Sequence, residues 1–218
     1  MVIIAICGFQ GVGKDIFANY LVNNYNFQKF SFATTIKDVL SDMFGWDRKL
    51  LEGDTIESRK FRETIDPWWA SKLTIPDLTP RKMLQIVGTD LFRKYFHDKI
   101  WVHIIEKKII DFLKINSSYR IIISDCRFPN EISMLKNLGA QIIHIERNLP
   151  EWFERYKNGD DFVKPLELHL SETAWIRENF DYTITNNTND ISEFELQIDS
   201  LVKDKFDIDI KANNKSQL

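Results

Sequence analysis

A chain of 218 residues, 44% hydrophobic and 28% charged, has room for one large domain or one domain with inserted lobes, in the balance of an ordinary soluble globular protein. Its formal net charge of −3 argues against a nucleic-acid polymer as main partner, which calls for a basic surplus, yet leaves room for a small nucleotide in a local basic pocket. Cys7 and Cys126 are too few for a zinc site and both flank apolar runs, so they read as buried reduced thiols.

In chain order, "VIIAICGF" reads as a fully buried strand: continuous, β-branched and ended by glycine. "KDIFANYLVNNY" places Ile16, Phe17, Leu21 and Val22 close to helical spacing. "FQKFSFA" reads as a short strand and "TTIKDVLSDMFG" as a helix closed by Gly45. Residues 46–80 are mixed, with breaks at Pro67, Pro76 and Pro80. "TPRKMLQIVGTDLFRKYF" predicts one helix with Thr79 as N-cap and Pro80 in its first turn. "DKIWVHIIEKKIIDFLK" is an amphipathic helix, "YRIIISD" a buried strand, "PNEISMLKNLG" a helix ended by Gly139 and "AQIIHIER" a further core strand. Residues 148–170 are polar and predicted irregular, a candidate mobile lid. "SETAWIREN" predicts a helix, "DYTITN" a short strand, "DISEFELQIDSLVKDKF" a last helix, and "KANNKSQL" a frayed tail. The first apolar run is too short to span a membrane and no basic segment precedes it, so a cytoplasmic location is expected.

Strands alternating with helices imply an α/β fold, a parallel sheet flanked by helices. Ligands of such sheets sit at the carboxyl ends of the strands. The loops 8–15, 124–131 and 146–172 leave those ends and carry most of the chemically interesting residues.

Gly8, Gly13 and Lys14 fit G-x-x-x-x-G-K, with Gly11 and Val12 inside the loop. Glycines let backbone N–H groups converge on phosphate oxygens, the following helix aims its positive end at the same anion, and Lys14 reaches the β- and γ-phosphates. Asp15 stands where a hydroxyl usually ligates Mg²⁺. A carboxylate is also a hard oxygen donor, and the helix dipole favours its ionised form.

The variant G-x-x-x-x-G-K-D resembles that of the deoxynucleoside monophosphate kinases of phages and large DNA viruses, related to the animal-type phosphomevalonate kinases. "FSFATTIKDVL" with Lys37 and Asp38 is similar to that family's stretch after its second strand. "TPRKMLQIVGTDLFR" is similar to its R-x-x-L-Q-x-x-G-T-D segment through Arg81, Gln85, Gly88, Thr89, Asp90 and Arg93. "SDCRFPNE" matches D-x-R-F-x-N-E through Asp125, Arg127, Asn130 and Glu131, and "HLSE" resembles H-x-S/T-E through His169, Ser171 and Glu172. Ile16, where that family often has Thr, and the 46–76 region depart from the pattern.

The resemblance implies a single P-loop kinase domain over 1–218. Its core comprises 1–45, 98–147 and 173–210, its monophosphate-binding region about 46–97 and its lid about 148–172. It implies transfer of the ATP γ-phosphoryl group to a deoxynucleoside 5′-monophosphate. ATP and the monophosphate are then the partners, Mg²⁺ the cofactor, and a homodimer an admitted assembly. Gly8, Gly11, Val12, Gly13, Lys14, Asp15, Ile16, Arg147 and Arg155 are the expected ATP site. Lys37, Trp69, Arg81, Gln85, Thr89, Asp90, Arg93, Arg127 and Glu172 are the expected acceptor site. Lys14, Asp15, Asp125 and Arg127 are the expected catalytic groups, with Asp15 and Asp125 as metal ligands.

The residues agree independently. A phosphate acceptor is already anionic at neutral pH, so positioned cations matter more than a general base. Arg81, Arg93, Arg127, Arg147, Arg155 and Lys157 lie in or beside the predicted site loops. Asp125 ends the apolar run "IIIS" and is placed like a Walker B aspartate, the alternative being an N-cap for the next helix. Gln85 suits a base edge, while Trp68 and Trp69 suit either stacking on a base or core packing. A phosphomevalonate kinase or another small-phosphate kinase is the nearest alternative. A guanine-reading N-K-x-D is not matched by "TNNTND".

Overall fold

The computed structural model describes residues 2–116, 119–163, 168–188 and 190–208; the expected frayed tail at 211–218 lies outside them. The chain runs β1 (Val2–Cys7), α1 (Lys14–Tyr25), β2 (Gln28–Phe30), α2 (Ala33–Phe44), α3 (Ile56–Glu63), α4 (Pro67–Leu73) and α5 (Pro80–Gln85). A π-helical stretch, Ile86–Phe96, leads to α6 (Ile100–Ile115), β3 (Arg120–Ile123), α7 (Pro129–Asn137), β4 (Gln141–Glu146) and α8 (Phe153–Lys157). Short 3-10 turns at Asp161–Val163 and Leu170–Glu172 precede β5 (Tyr182–Thr185) and α9 (Ile191–Phe206). No described helix is long and apolar enough to cross a membrane.

The chain divides into two compact units, Met1–Ser31 with Glu106–Leu218, and Phe32–Ile105. The first holds a parallel sheet in the order β2-β3-β1-β4-β5. The expected α/β architecture is therefore present. β1 and β3 are apolar runs because both their faces are buried, with Ile4, Ile6, Ile122 and Ile123 fully enclosed. Ile4 and Ile6 share a core with Phe17, Leu21 and Tyr25 of α1 and with Phe194, Ile198 and Val202 of α9, residues one turn apart on each helix. Tyr20 and Tyr25 both donate to the Asp199 carboxylate, at 2.9 and 2.6 Å, tying α1 to α9. The register pairs Ala5 with Ile123 and Cys7 with His144, so the chain leaves β1, β3 and β4 at the same edge.

The second unit packs helices around Leu40, Phe44, Trp46, Leu51, Leu78, Met83 and Val87. Gly45 closes α2 in the left-handed region at φ 69°, and Thr79 Oγ1 caps α5 by accepting from Lys82 N at 3.1 Å, both as the sequence predicts.

Some predicted elements are corrected. The single helix over 79–96 is instead α5 followed by π-helical turns from Ile86. The tertiary reason is at Gly88, whose carbonyl accepts from the Trp101 indole at 2.7 Å, and where a Cβ would lie 3.0 Å from Ile36 Cδ1. Within 148–170, α8 forms where irregular chain is expected, because Phe153 is fully buried and anchors it. The predicted helix over 171–179 is absent: a 3-10 turn ending at Glu172 gives way to turns that seat Trp175 and Ile176 in the core.

Candidate active site

The loop after β1 lies at the sheet's carboxyl edge, between β1 and α1. Gly8 adopts φ 148°, and a Cβ there would sit 2.6 Å from the Ile145 carbonyl oxygen of β4. Gly13 adopts φ 108°, and a Cβ there would come within 2.8 Å of Asn186 Nδ2. Both positions therefore require glycine on backbone and steric grounds alike. Gly8→Ala is expected to lower stability by about 1–3 kcal/mol. Gly11→Ala, at φ 81° with nothing within 4 Å, should lower it less. Urea unfolding of the two variants compares them directly.

Val12 is buried and its carbonyl accepts from the buried Asn186 Nδ2 at 2.8 Å, so the residue that follows β5 braces the loop. Phe9 packs against Trp152, Phe153 and Trp175, with centroids 6.0, 5.8 and 5.1 Å away. These contacts join the loop to α8 and to the turns after Glu172. His144 lies under this cluster, stacked on Phe180 at 4.8 Å, and burial followed by the charges of Lys157 and Lys14 holds its pKa down at about 4. Neither Asn186 nor Phe9 was expected from the sequence, because each acts through contacts that no local motif encodes.

Lys14 opens α1 and is 8% exposed. Its ammonium donates to the Gly8 and Phe9 carbonyls at 2.8 and 2.6 Å, curling back over the loop. Burial, then the charge of Arg127, pulls its pKa down to about 8, against the partial opposition of Glu172 and Asp15. Asp15 is exposed and pairs with Lys29 at 3.1 Å. Ile16 is half-buried against the core.

Asp125 accepts from Ser31 Oγ at 2.7 Å. It does not cap α7: Glu131, buried, accepts from the amides of Arg127 and Phe128 at 2.7 and 3.1 Å and closes that helix start. Cys126, between these groups, is buried beside Cys7; burial and then Cys7 push its thiol pKa up, and both cysteines are free thiols.

Arg127 points its guanidinium at the Glu172 carboxylate and at the Ser171 carbonyl, 3.4 Å away. Glu172 also accepts from the Gln10 amide of the loop. Burial pushes Glu172 upward, but Arg127 and Lys14 outweigh it and hold the carboxyl below its usual range. The structure thus brings Lys14, Arg127, Glu172 and the loop together. Arg147 follows β4 and is half-buried, and Arg155 on α8 pairs with Asp160 at 2.6 Å.

In the second unit, Lys37 pairs with Glu52, which Arg48 bridges to Asp38. Arg81 pairs with Glu63 at 3.2 Å, and the buried Arg93 donates to the Asp98 carbonyl at 3.2 Å. Gln85 ends α5, with Thr89 half-buried and Asp90 exposed in the π-helical stretch. Trp69 donates its indole N–H to the Phe44 carbonyl at 3.0 Å and packs on that ring, whereas Trp68 is largely exposed.

The sequence profile of the family described as deoxynucleotide monophosphate kinase matches residues 54–198. A protein of Acanthamoeba polyphaga mimivirus named as a deoxynucleotide monophosphate kinase is 32% identical over 209 residues, covering 93% of this chain and 96% of that one. The chain belongs to the deoxynucleotide monophosphate kinase family. The deoxynucleotide monophosphate kinase of Enterobacteria phage T4 is 26% identical over 239 residues, covering 86% and 93% of the two chains. Among solved structures, dephospho-CoA kinase from Campylobacter jejuni aligns over 93% of this chain and 96% of its own, at 16% identity and a TM-score of 0.47. The loop from Gly8 to Lys14 keeps the G-x-x-x-x-G-K spacing between a buried parallel strand and a helix.

Proposed function

We propose that the P-loop of the first unit binds ATP with Mg²⁺, and that the enzyme moves the γ-phosphoryl group to the phosphate of a deoxynucleoside 5′-monophosphate. One observation carries this reading: the Arg127 guanidinium and a loop amide meet on a single anionic group, here the Glu172 carboxylate, within the field of the buried Lys14 ammonium. Those are the donors that phosphoryl transfer needs, since its main demands are alignment and neutralisation of charge.

In this reading Lys14 holds the β- and γ-phosphates and Arg127 follows the transferred group. Arg147 and Arg155 contact the triphosphate, and 148–172, of which 164–167 lie outside the described residues, serves as lid. Asp15 and Asp125 are hard oxygen donors flanking the loop. A Mg²⁺ ion uses one or two carboxylates together with phosphate oxygens, so this donor set fits it. When bound, that ion offsets charge on the β- and γ-phosphates. Ser31 orients the Asp125 carboxylate through its hydrogen bond. The acceptor goes to about 46–97 together with Lys37, Arg127 and Glu172: Arg81 and Arg93 take its phosphate, Gln85 its base edge and Trp69 its stacked face, with Lys37, Thr89 and Asp90 beside them.

The test is incubation with ATP and Mg²⁺ and, in turn, dTMP, dGMP, dCMP, dAMP, unusual pyrimidine monophosphates and phosphomevalonate, scoring ADP and product formed. Stoichiometric ADP and deoxynucleoside diphosphate are expected with at least one deoxynucleotide. Turnover of phosphomevalonate alone would overturn the acceptor assignment.

A further inference from the structure

Cations expected to hold phosphate carry carboxylates instead: Lys37 holds Glu52, Arg81 holds Glu63 and Arg155 holds Asp160. The pair of Arg127 with Glu172 differs from these in where it sits. The Glu172 side chain is 15% exposed, against 41, 59 and 31% for the other acids. It also reaches the P-loop itself, through the Gln10 amide, and lies within the field of Lys14. A P-loop amide, a guanidinium and a nearby ammonium are the partners that a phosphate oxygen takes.

A carboxylate and a phosphate group cannot share these donors. Both are anions, and at hydrogen-bond range in a partly buried site their repulsion is strong. We propose that Glu172 is a displaceable occupant of the phosphate cradle, competing with polyphosphate for Arg127 and the Gln10 amide and so setting the affinity that the cradle shows for nucleotide. The idea rests on the reading of this loop as the ATP site. In the empty enzyme Glu172 holds Arg127 beside the loop and offsets like-charge repulsion between Arg127 and Lys14. On binding, phosphate oxygens take over both duties and Glu172 withdraws.

A simple structural brace predicts that losing the carboxylate weakens binding; competition predicts the reverse. Isothermal titration with inorganic tripolyphosphate reads the cradle without any nucleoside contribution. Glu172→Gln removes the charge at constant size, and its affinity is expected to rise about tenfold, the scale of one charge-assisted hydrogen bond no longer displaced. The gain should vanish when Arg127→Ala is added. Unfolding midpoints of the ligand-free variants confirm that each is folded at the titration temperature. Equal or weaker binding by Glu172→Gln, or a gain that persists undiminished without Arg127, overturns the proposal and leaves the loop's function standing. If Lys14→Ala binds tripolyphosphate as tightly as the parent, the loop is not the polyphosphate site, and the proposed function falls together with the inference.

Discussion

Lys14→Ala is expected to lower kcat/KM for ATP on the order of 10³-fold, the scale of losing a positioned charge that stabilises the transferring group. The fold should survive. A buried ammonium is costly, and the depressed pKa of Lys14 measures that cost. Relative to an unfolded chain, the native state resists protonation of Lys14. The penalty is present in full below about pH 8 and fades as pH rises towards the unfolded value of 10.5. The variant escapes it, so its ligand-free melting temperature at pH 7 should be no lower than the parent's. In the proposed role function should run the other way, because there the ammonium is the form that would hold phosphate. In the parent, kcat/KM for ATP at saturating acceptor should fall with unit slope above about pH 8, and be roughly tenfold down by pH 9. A profile flat to pH 9.5, or a variant that keeps full activity, would remove Lys14 from the chemistry.

The parts of the molecule that could be read from the residues were those in which local and global preferences coincide. "VIIAIC", the glycine loop and "KDIFANYLVNNY" read as strand, turn and helix, and all form within a residue or two of their expected limits. Buried parallel strands need apolar runs, and the left-handed backbone at Gly8 and Gly13 needs glycine, so the pattern carries the geometry. The misread segments depend on partners far along the chain. Nothing in "IVGTDLFRKYF" announces π-helical turns, because the Trp101 indole that takes the Gly88 carbonyl lies outside it. "SETAWIREN" has helical composition, yet Trp175 is drawn into the cluster around Phe9 and His144, and the chain turns instead of coiling. The same holds within the site. Lys14 and the loop glycines follow from spacing, and Arg127 from its place after a core strand. Ser31 on Asp125 and Asn186 on Val12 span 94 and 174 residues of sequence. Glu172 is singled out by resemblance alone; that it reaches the glycine loop is a tertiary fact.

Arg127→Ala should be the second most damaging change, lowering kcat/KM on the order of 10²–10³-fold, with most of the loss in kcat. The guanidinium is fixed and planar, so Arg127→Lys, which keeps the charge but loses the fork, should recover only part of it. Stability should change little, because Glu131 binds the backbone amide of residue 127, which both variants retain. A distinct signature separates lost contact from general damage. After burial, Arg127 is the largest influence lowering the Lys14 pKa, while Glu172 raises it. Removing the guanidinium frees Lys14 from a neighbouring positive charge and leaves the Glu172 charge unopposed. The Lys14 pKa then rises, and the alkaline fall in kcat/KM moves from about pH 8 to higher pH even as the plateau drops. A variant that merely loosens the site would admit water to Lys14, weaken every influence on it and lower the plateau, but Glu172→Gln added on top would then leave the limb in place. If the limb moves back down on that second substitution, the charges of residues 127, 172 and 14 act on one another directly, as a shared phosphate cradle requires.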